Sequence, residues 1–89
     1  MKRHYRFLVQ VPHAWRRQLV LKGRRITAGQ LVDSMEAGGW TVEEAAKQFD
    51  LDPQAVAEAV DYVSRNRQLI DAESEESRRR AEPYITHHR

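Results

Sequence analysis

The sequence has no cysteine, and its 89 residues include only three prolines and four glycines. Without cysteine the chain cannot form disulfides, a thiolate zinc site or a cysteine nucleophile. It also lacks an apolar run near the roughly 20 residues that cross a bilayer, and its N-terminus lacks the apolar stretch of a signal peptide. We therefore expect a cytoplasmic protein with no membrane segment.

Residue patterns typical of enzymes are missing as well. The sequence contains no nucleotide-binding loop, no Ser/His/Asp arrangement and no pair of carboxylates suited to a cleft. His87 and His88 have no third ligand near them in the sequence, so we expect no metal site. The sequence predicts one small domain that is not an enzyme and has no cofactor.

Acidic residues are absent from the first third of the chain. Residues 1–32 contain eight lysines and arginines and no acid, whereas residues 33–77 contain twelve acids against three bases. Residues 78–89 are basic again, with four arginines and one glutamate. This asymmetry favours a polyanion or an acidic partner for the basic segment, although segregated solubilising charge is the alternative.

Residues 1–26 are predicted to form a basic β arm. The alternation of apolar and polar side chains over residues 5–11 predicts a strand that ends at Pro12. A second apolar run, residues 19–21, leads to Gly23, whose tolerance of positive φ permits a tight turn. Together these signals predict a short hairpin.

Residues 27–70 are predicted to form three helices. Their N-caps are Thr27, Thr41 and Asp52, which all carry side-chain oxygens that accept from the first free N–H groups. Thr41 starts a capping box with a glutamate three residues later, and glycines after the first helix supply a left-handed cap. The third helix can extend to Ile70.

The turn Asp50-Leu51-Asp52 gives the second and third helices the spacing of a helix-turn-helix. Asp50 stands where glycine is usual, and aspartate tolerates the left-handed region better than most residues. A three-helix core unrelated to DNA is the alternative. In the DNA-binding interpretation Gln54 would contact a base edge, whereas Glu58 and Asp61 would repel phosphates. The positive contacts would then come from the arm, either beside the third helix or as a basic ribbon in a groove, and the candidates are Arg16, Arg17, Lys22, Arg24 and Arg25.

Residues 71–89 lack a hydrophobic period. Pairs of glutamate and arginine four residues apart, Glu75 with Arg79 and Glu76 with Arg80, predict an exposed helix that ends at Pro83. We expect this charged tail to add nothing to the core, so that truncation after Ile70 leaves the fold intact.

Three segments resemble the small bacterial "domain of unknown function 433" family, which is regarded as antitoxin-like and similar to VapB-type antitoxins. The segments are Lys22-Gly23-Arg24-Arg25-Ile26-Thr27, Glu36-Ala37-Gly38-Gly39-Trp40-Thr41-Val42-Glu43-Glu44, and Leu51 with Val56, Ala59, Val60 and Tyr62. The resemblance covers about residues 15–67. It implies a dimeric helix-turn-helix domain that accompanies a toxin with a PIN-like nuclease fold.

The fold we predict is mainly α: a helix-turn-helix domain with a short N-terminal β-hairpin and a charged C-terminal helical tail. With the resemblance, the implied function is that of a type II antitoxin, a homodimeric repressor that binds operator DNA. Its tail would then neutralise a PIN-like ribonuclease, with Arg78, Arg79 and Arg80 pairing with acidic residues of the toxin. The alternatives are a solvated helix end for these arginines, and a protein-interaction module or a toxin-free transcription regulator for the whole chain.

Overall fold

A computed structural model describes residues 5–87, with side chains as far as Ala81. The elements, in chain order, are β1 Leu8–Val9, β2 Val20–Leu21, α1 Ala28–Gly38, α2 Val42–Phe49, α3 Pro53–Arg65 and α4 Arg67–His87. The mainly helical fold with an N-terminal hairpin is therefore confirmed. No helix within these residues is long and apolar enough to cross a membrane.

The hairpin is formed within one chain and is shorter than predicted. β1 pairs antiparallel with β2, with Leu8 opposite Leu21. The predicted strand over residues 5–11 shrinks to two residues, because the N–H groups before Leu8 bond to a side chain of α3 and not to β2. Gly23 has φ +77° and forms the expected turn, after which Val20 bridges to Thr27.

The helix starts follow the predicted caps. The Thr27 hydroxyl accepts from the Gln30 N–H at 3.0 Å, and the Gln30 side chain accepts from the Thr27 N–H at 3.0 Å. Thr41 and Glu44 form the same reciprocal pair before α2. At the first helix only the Thr27 cap was predicted, and the reciprocal bond of the Gln30 side chain was not.

The helix-turn-helix turn also has the predicted conformation. Asp50 adopts the left-handed region with φ 55° and ψ 52°, and Asp52 caps α3 by accepting from the Gln54 N–H at 2.8 Å. Pro53 occupies the first helical position, where its missing N–H breaks no helical hydrogen bond. Gly39, with φ 66°, ends α1 as a left-handed cap.

Two predicted helix ends are wrong. α3 ends at Arg65 and not near Ile70, because Asn66 leaves the helical conformation while its side-chain amide donates to the Tyr62 carbonyl at 2.8 Å. Pro83 does not end α4, which continues to His87. A proline this near the end of a helix removes only one main-chain hydrogen bond, and ion pairs on the preceding turns support the helix.

The core lies where α3 packs against α1 and α2, with the hairpin and the start of α4 alongside. Its buried hydrophobic residues are Leu8, Leu21, Ala28, Leu31, Val32, Met35, Ala45, Ala46, Ala55, Val56, Ala59, Tyr62, Val63 and Ile70. Glu73, one turn beyond Ile70, is only 7 % exposed. The expectation that nothing after Ile70 contributes to the buried interior is therefore wrong.

Candidate functional site

Arg24 joins the hairpin turn to the helix-turn-helix. Its guanidinium donates to the carbonyl oxygens of Phe49, at 2.7 Å, and Asp50, at 2.5 Å. These carbonyls lie at the C-terminus of α2, where main-chain oxygens lack helical partners and a positive charge is favourable. The basic turn, residues 22–25, therefore lies against the turn that precedes α3.

The other two cations of the basic turn remain available. Lys22 and Arg25 are exposed, and neither side chain makes a hydrogen bond or ion pair with any part of the chain that the structure describes. Gln54 is exposed in the first turn of α3. Two unpaired cations thus lie within two residues of Arg24, which contacts the turn that leads into α3.

The two acids of α3 bind the N-terminal segment of the same chain. Glu58 accepts from the main-chain N–H groups of Arg6, at 3.1 Å, and Phe7, at 2.8 Å. Asp61 accepts from the Tyr5 hydroxyl at 2.9 Å and from Arg65 Nε at 3.0 Å. These acids, which we expected to repel phosphates, hold residues 5–7 across the middle of α3.

Arg16 and Arg17 lie away from the basic turn. The Arg16 guanidinium lies 5.3 Å from the centre of the Trp15 ring, and the Arg80 guanidinium of α4 lies 5.1 Å from it. The Arg17 main-chain N–H donates to Glu73 of α4 at 2.5 Å. The structure therefore brings these two predicted DNA contacts to α4 and separates them from Lys22, Arg24 and Arg25.

The three arginines of α4 form exposed ion pairs within the helix. Arg80 and Arg79 contact Glu76 at 2.7 and 3.0 Å, and Arg78 contacts Glu75 at 2.5 Å. The predicted pair Glu76–Arg80 is confirmed, whereas Glu75 pairs with Arg78 and not with Arg79. Exposed pairs of this kind contribute little to stability and exchange readily for other partners.

Trp15 lies outside the core cluster. Its half-buried ring meets the His13 ring edge to face at 5.2 Å. His13 Nδ1 accepts from the main-chain N–H groups of Trp15, at 3.3 Å, and Arg16, at 3.0 Å. The loop is thus ordered locally, and it keeps the tryptophan at the surface between two arginines.

A groove of about 260 Å³ separates the N-terminal half of α1 from α4. Gly29 lets these helices approach closely, because a Cβ at this position would lie 2.9 Å from Ile70 Cγ2. The polar residues that line this α1–α4 groove are Arg16, Gln18, Gln30, Asp33, Glu73, Ser74, Ser77 and Arg78. No group of three metal-binding side chains comes together within the described residues.

A family profile described as "Protein of unknown function (DUF433)" matches residues 10–63, more than half of the chain. The chain belongs to this family. No curated protein and no solved structure matches the chain.

The DUF433 match covers the basic turn, α1, α2 and nearly all of α3. It begins after β1 and ends before α4, so residues 5–7 and the arginines of α4 lie outside it. The basic turn, α1, α2 and the turn before α3 therefore lie within the matched region, whereas the fourth helix lies outside it.

Glu73 is the residue at these sites that sequence reasoning missed. It accepts from the main-chain N–H groups of Arg17 and Gln18, at 2.5 and 3.3 Å, and from the Gln18 side chain at 3.0 Å. The available signal was its position three residues after Ile70, on the same helix face. Because many of the neighbouring residues are charged, the sequence indicated an exposed segment instead.

Proposed function

We propose that this DUF433 protein is a helix-turn-helix DNA-binding repressor and the antitoxin of a type II toxin–antitoxin pair, acting as a homodimer in the cytoplasm. The observation that carries the DNA-binding half is the bonding of Arg24 to the Phe49 and Asp50 carbonyls. This contact attaches the basic turn to the end of α2, and the exposed Lys22 and Arg25 lie within two residues of Arg24.

The proposed DNA contacts divide into two chemical kinds. Lys22 and Arg25 bind phosphates, which supply most of the affinity of a protein for DNA. Gln54, at the exposed start of α3, reads a base edge, since an amide side chain matches the donor and acceptor of adenine. A dimer would place two such units on a palindromic operator.

The antitoxin half of the proposal depends on the family resemblance and on α4. This helix extends beyond Glu73, the last buried residue among those up to Ala81, and carries Arg78, Arg79 and Arg80 on exposed turns. Guanidinium groups there can exchange their glutamate partners for carboxylates of an acidic site on a PIN-like toxin.

A protein-interaction module that binds no DNA is the second candidate. The observation that favours it is the segment of residues 5–7, which is bonded across α3 through Glu58 and Asp61. A recognition helix covered in its middle presents only its N-terminal end to a groove. A transcription regulator without a toxin would share the DNA contacts but would not need α4.

The test compares binding to a mixed-sequence DNA duplex over about 50 to 200 mM salt. The double variant K22Q/R25Q is expected to weaken binding and to reduce the slope of log affinity against log salt by about two. The charge-matched control R78Q/R79Q is expected to leave the slope unchanged. Arg24 is left intact because its substitution would also disturb the turn.

Two results would contradict the DNA-binding half. One is an unchanged salt slope in K22Q/R25Q, and the other is the absence of binding to any duplex at the lowest salt. Absence of binding would favour the protein-interaction module. An equal reduction of the salt slope in the control R78Q/R79Q would mean that net charge, and not the basic turn, determines DNA binding.

A further inference from the structure

A tryptophan and an arginine of the loop before β2 meet two arginines of α4 on one surface. The loop before β2 contributes Trp15 and Arg16, and α4 contributes Arg78 and Arg80. We propose that these four residues, the Trp15–Arg78 patch, form a docking surface for an acidic segment of a partner protein, whose carboxylate enters the α1–α4 groove between Arg16 and Arg78. The proposal rests on the partner-binding half of the proposed function, and it assigns Arg16 to the partner instead of to DNA.

The loop is fixed on α4, so the patch is present before a partner arrives. Glu73 accepts three hydrogen bonds from Arg17 and Gln18, and the Gln18 side-chain oxygen in turn accepts from the Gly29 N–H at 2.8 Å. This chain of bonds connects α4, the loop and the start of α1. A surface that is already ordered loses less conformational entropy when it binds.

The groove offers an acidic side chain both charge and hydrogen-bond donors. Arg16 and Arg78 line it, together with the exposed Ser74 and Ser77. Neither serine hydroxyl has a hydrogen-bond partner within the described residues. A carboxylate in the groove can therefore accept from guanidinium and hydroxyl groups, and charge-assisted bonds of this kind are the stronger ones.

The charge of the patch favours a protein over a nucleic acid. Asp33 lines the same groove, and Glu75 and Glu76 lie on the turns that carry the arginines. These carboxylates, together with Glu73 in the groove, would repel a backbone in which every phosphate is negative, whereas a protein segment can place a single carboxylate between Arg16 and Arg78 and neutral or basic side chains near the acids. Arginine and tryptophan are also the residues that dominate binding energy at protein interfaces.

The groove has room for a side chain of a partner. Its volume of about 260 Å³ lies below the range of about 300 to 1,000 Å³ that is usual for small-molecule pockets. Its apolar lining consists of the exposed Ala81 and the buried Ile70. An acidic residue next to an apolar one is the partner sequence that fits this combination.

The test selects displayed random peptides on the full wild-type chain alone. We expect the selected peptides to be enriched in aspartate and glutamate. Synthetic copies should bind the wild type and lose affinity by about tenfold or more in R16Q/R78Q, because two charged contacts are removed. The charge-matched control K22Q/R25Q should retain the affinity. Peptide binding should change the tryptophan fluorescence of the wild type but not that of W15F.

The other outcomes overturn either this proposal or the DNA-binding half of the proposed function, and they can be told apart. Peptides without acidic enrichment, or equal losses in the two double variants, would mean that the patch has no specific role. A loss of duplex DNA binding in R16Q/R78Q equal to that in K22Q/R25Q would make the patch a nucleic-acid site. An unchanged DNA salt slope in K22Q/R25Q, with the peptide results as expected, would reject the DNA-binding half of the proposed function alone. Thermal unfolding of each variant checks that the fold is retained.

Discussion

At the scale of single residues, two buried polar side chains attach the N-terminal loop to the helices. The Tyr62 hydroxyl of α3 accepts from the Leu19 N–H at 3.2 Å, and Glu73 of α4 accepts from Arg17 and Gln18. A buried N–H without an acceptor costs about 1–3 kcal/mol, so these two side chains allow an irregular segment to lie against the core. They set the position of the loop that carries Arg16.

Tyr62 gives the protein a predictable response to alkaline pH. Burial raises the pKa of its hydroxyl, and the nearby charge of Glu73 raises the pKa further, whereas the bond from the Leu19 N–H lowers it. The unfolded chain therefore loses the tyrosine proton first, at a pH of about 10. The stability that this group contributes is complete below that pH and is lost as the pH rises through the folded-state pKa.

The variant Y62F isolates this effect, since it cannot ionise. At neutral pH we expect Y62F to be less stable by about 1–3 kcal/mol, because the Leu19 N–H loses its acceptor. Above pH of about 10 the difference between wild type and Y62F should shrink, because only the wild type loses stability through this tyrosine. Urea unfolding at neutral and alkaline pH measures both values. If the stability difference between wild type and Y62F is the same at neutral and alkaline pH, the raised pKa of Tyr62 is contradicted.

At the scale of elements, the helix starts could be predicted because their determinants are local. Thr27, Thr41 and Asp52 bond to N–H groups two or three residues away, so cap and partner lie together in the sequence. The end of α3 is different. It depends on Asn66 bonding back to the Tyr62 carbonyl, in competition with a continuous helix through to Ile70.

The site shows the same division between local and tertiary determinants. The charge of Lys22 and Arg25 is visible in the sequence, but the bonds from Arg24 to Phe49 and Asp50 form only after the helices have packed. Charge runs also gave the wrong grouping, since Arg16 lies with the arginines of α4. A charge pattern does not indicate which face of the fold each charged segment will occupy.

The turn between α2 and α3 supplies a prediction at this scale. Asp50 has φ 55°, a conformation that costs most L-residues about 1–2 kcal/mol and glycine almost nothing. We expect D50V to be less stable than D50G by about 1–2 kcal/mol, a difference of roughly 4–8 °C in melting temperature per kcal/mol. Circular dichroism during thermal unfolding measures this difference.

The control for Asp50 is a glycine where the backbone is helical. Q48G places glycine on an exposed position of α2, where it should destabilise by about 0.5–1 kcal/mol. Opposite effects of the two glycines, with D50G no less stable than wild type, would assign the effect to the left-handed backbone. Equal stability of D50G and D50V would show that the turn does not need this conformation.

At the scale of the whole molecule, the charge asymmetry of the sequence becomes two separate surfaces. The basic turn lies beside the helix-turn-helix, within the region that the DUF433 profile matches. The Trp15–Arg78 patch joins a loop of that region to α4, which lies outside the match. A chain of this size can therefore offer one surface to DNA and another to a protein, which is what the proposed function requires.

Truncation tests how far the folded unit extends. A chain that ends after Ile70 loses Glu73, and with it the acceptor for three N–H groups of Arg17 and Gln18. We expect it to be less stable by at least about 1–3 kcal/mol than a chain that ends after Ala81, which keeps this acceptor. Thermal unfolding gives the stability, and hydrogen exchange at the Arg17 and Gln18 amides shows whether the loop has been released.

The comparison of the two truncations also decides how partner-binding experiments must be designed. A loss of about 1–3 kcal/mol is a large part of the 5–15 kcal/mol that usually stabilises a domain. Loss of partner binding after truncation at Ile70 would then reflect a disordered loop as readily as a missing helix. If the two truncated chains are equally stable, Glu73 does not hold the loop, and the Trp15–Arg78 patch loses the rigidity on which its proposed role depends.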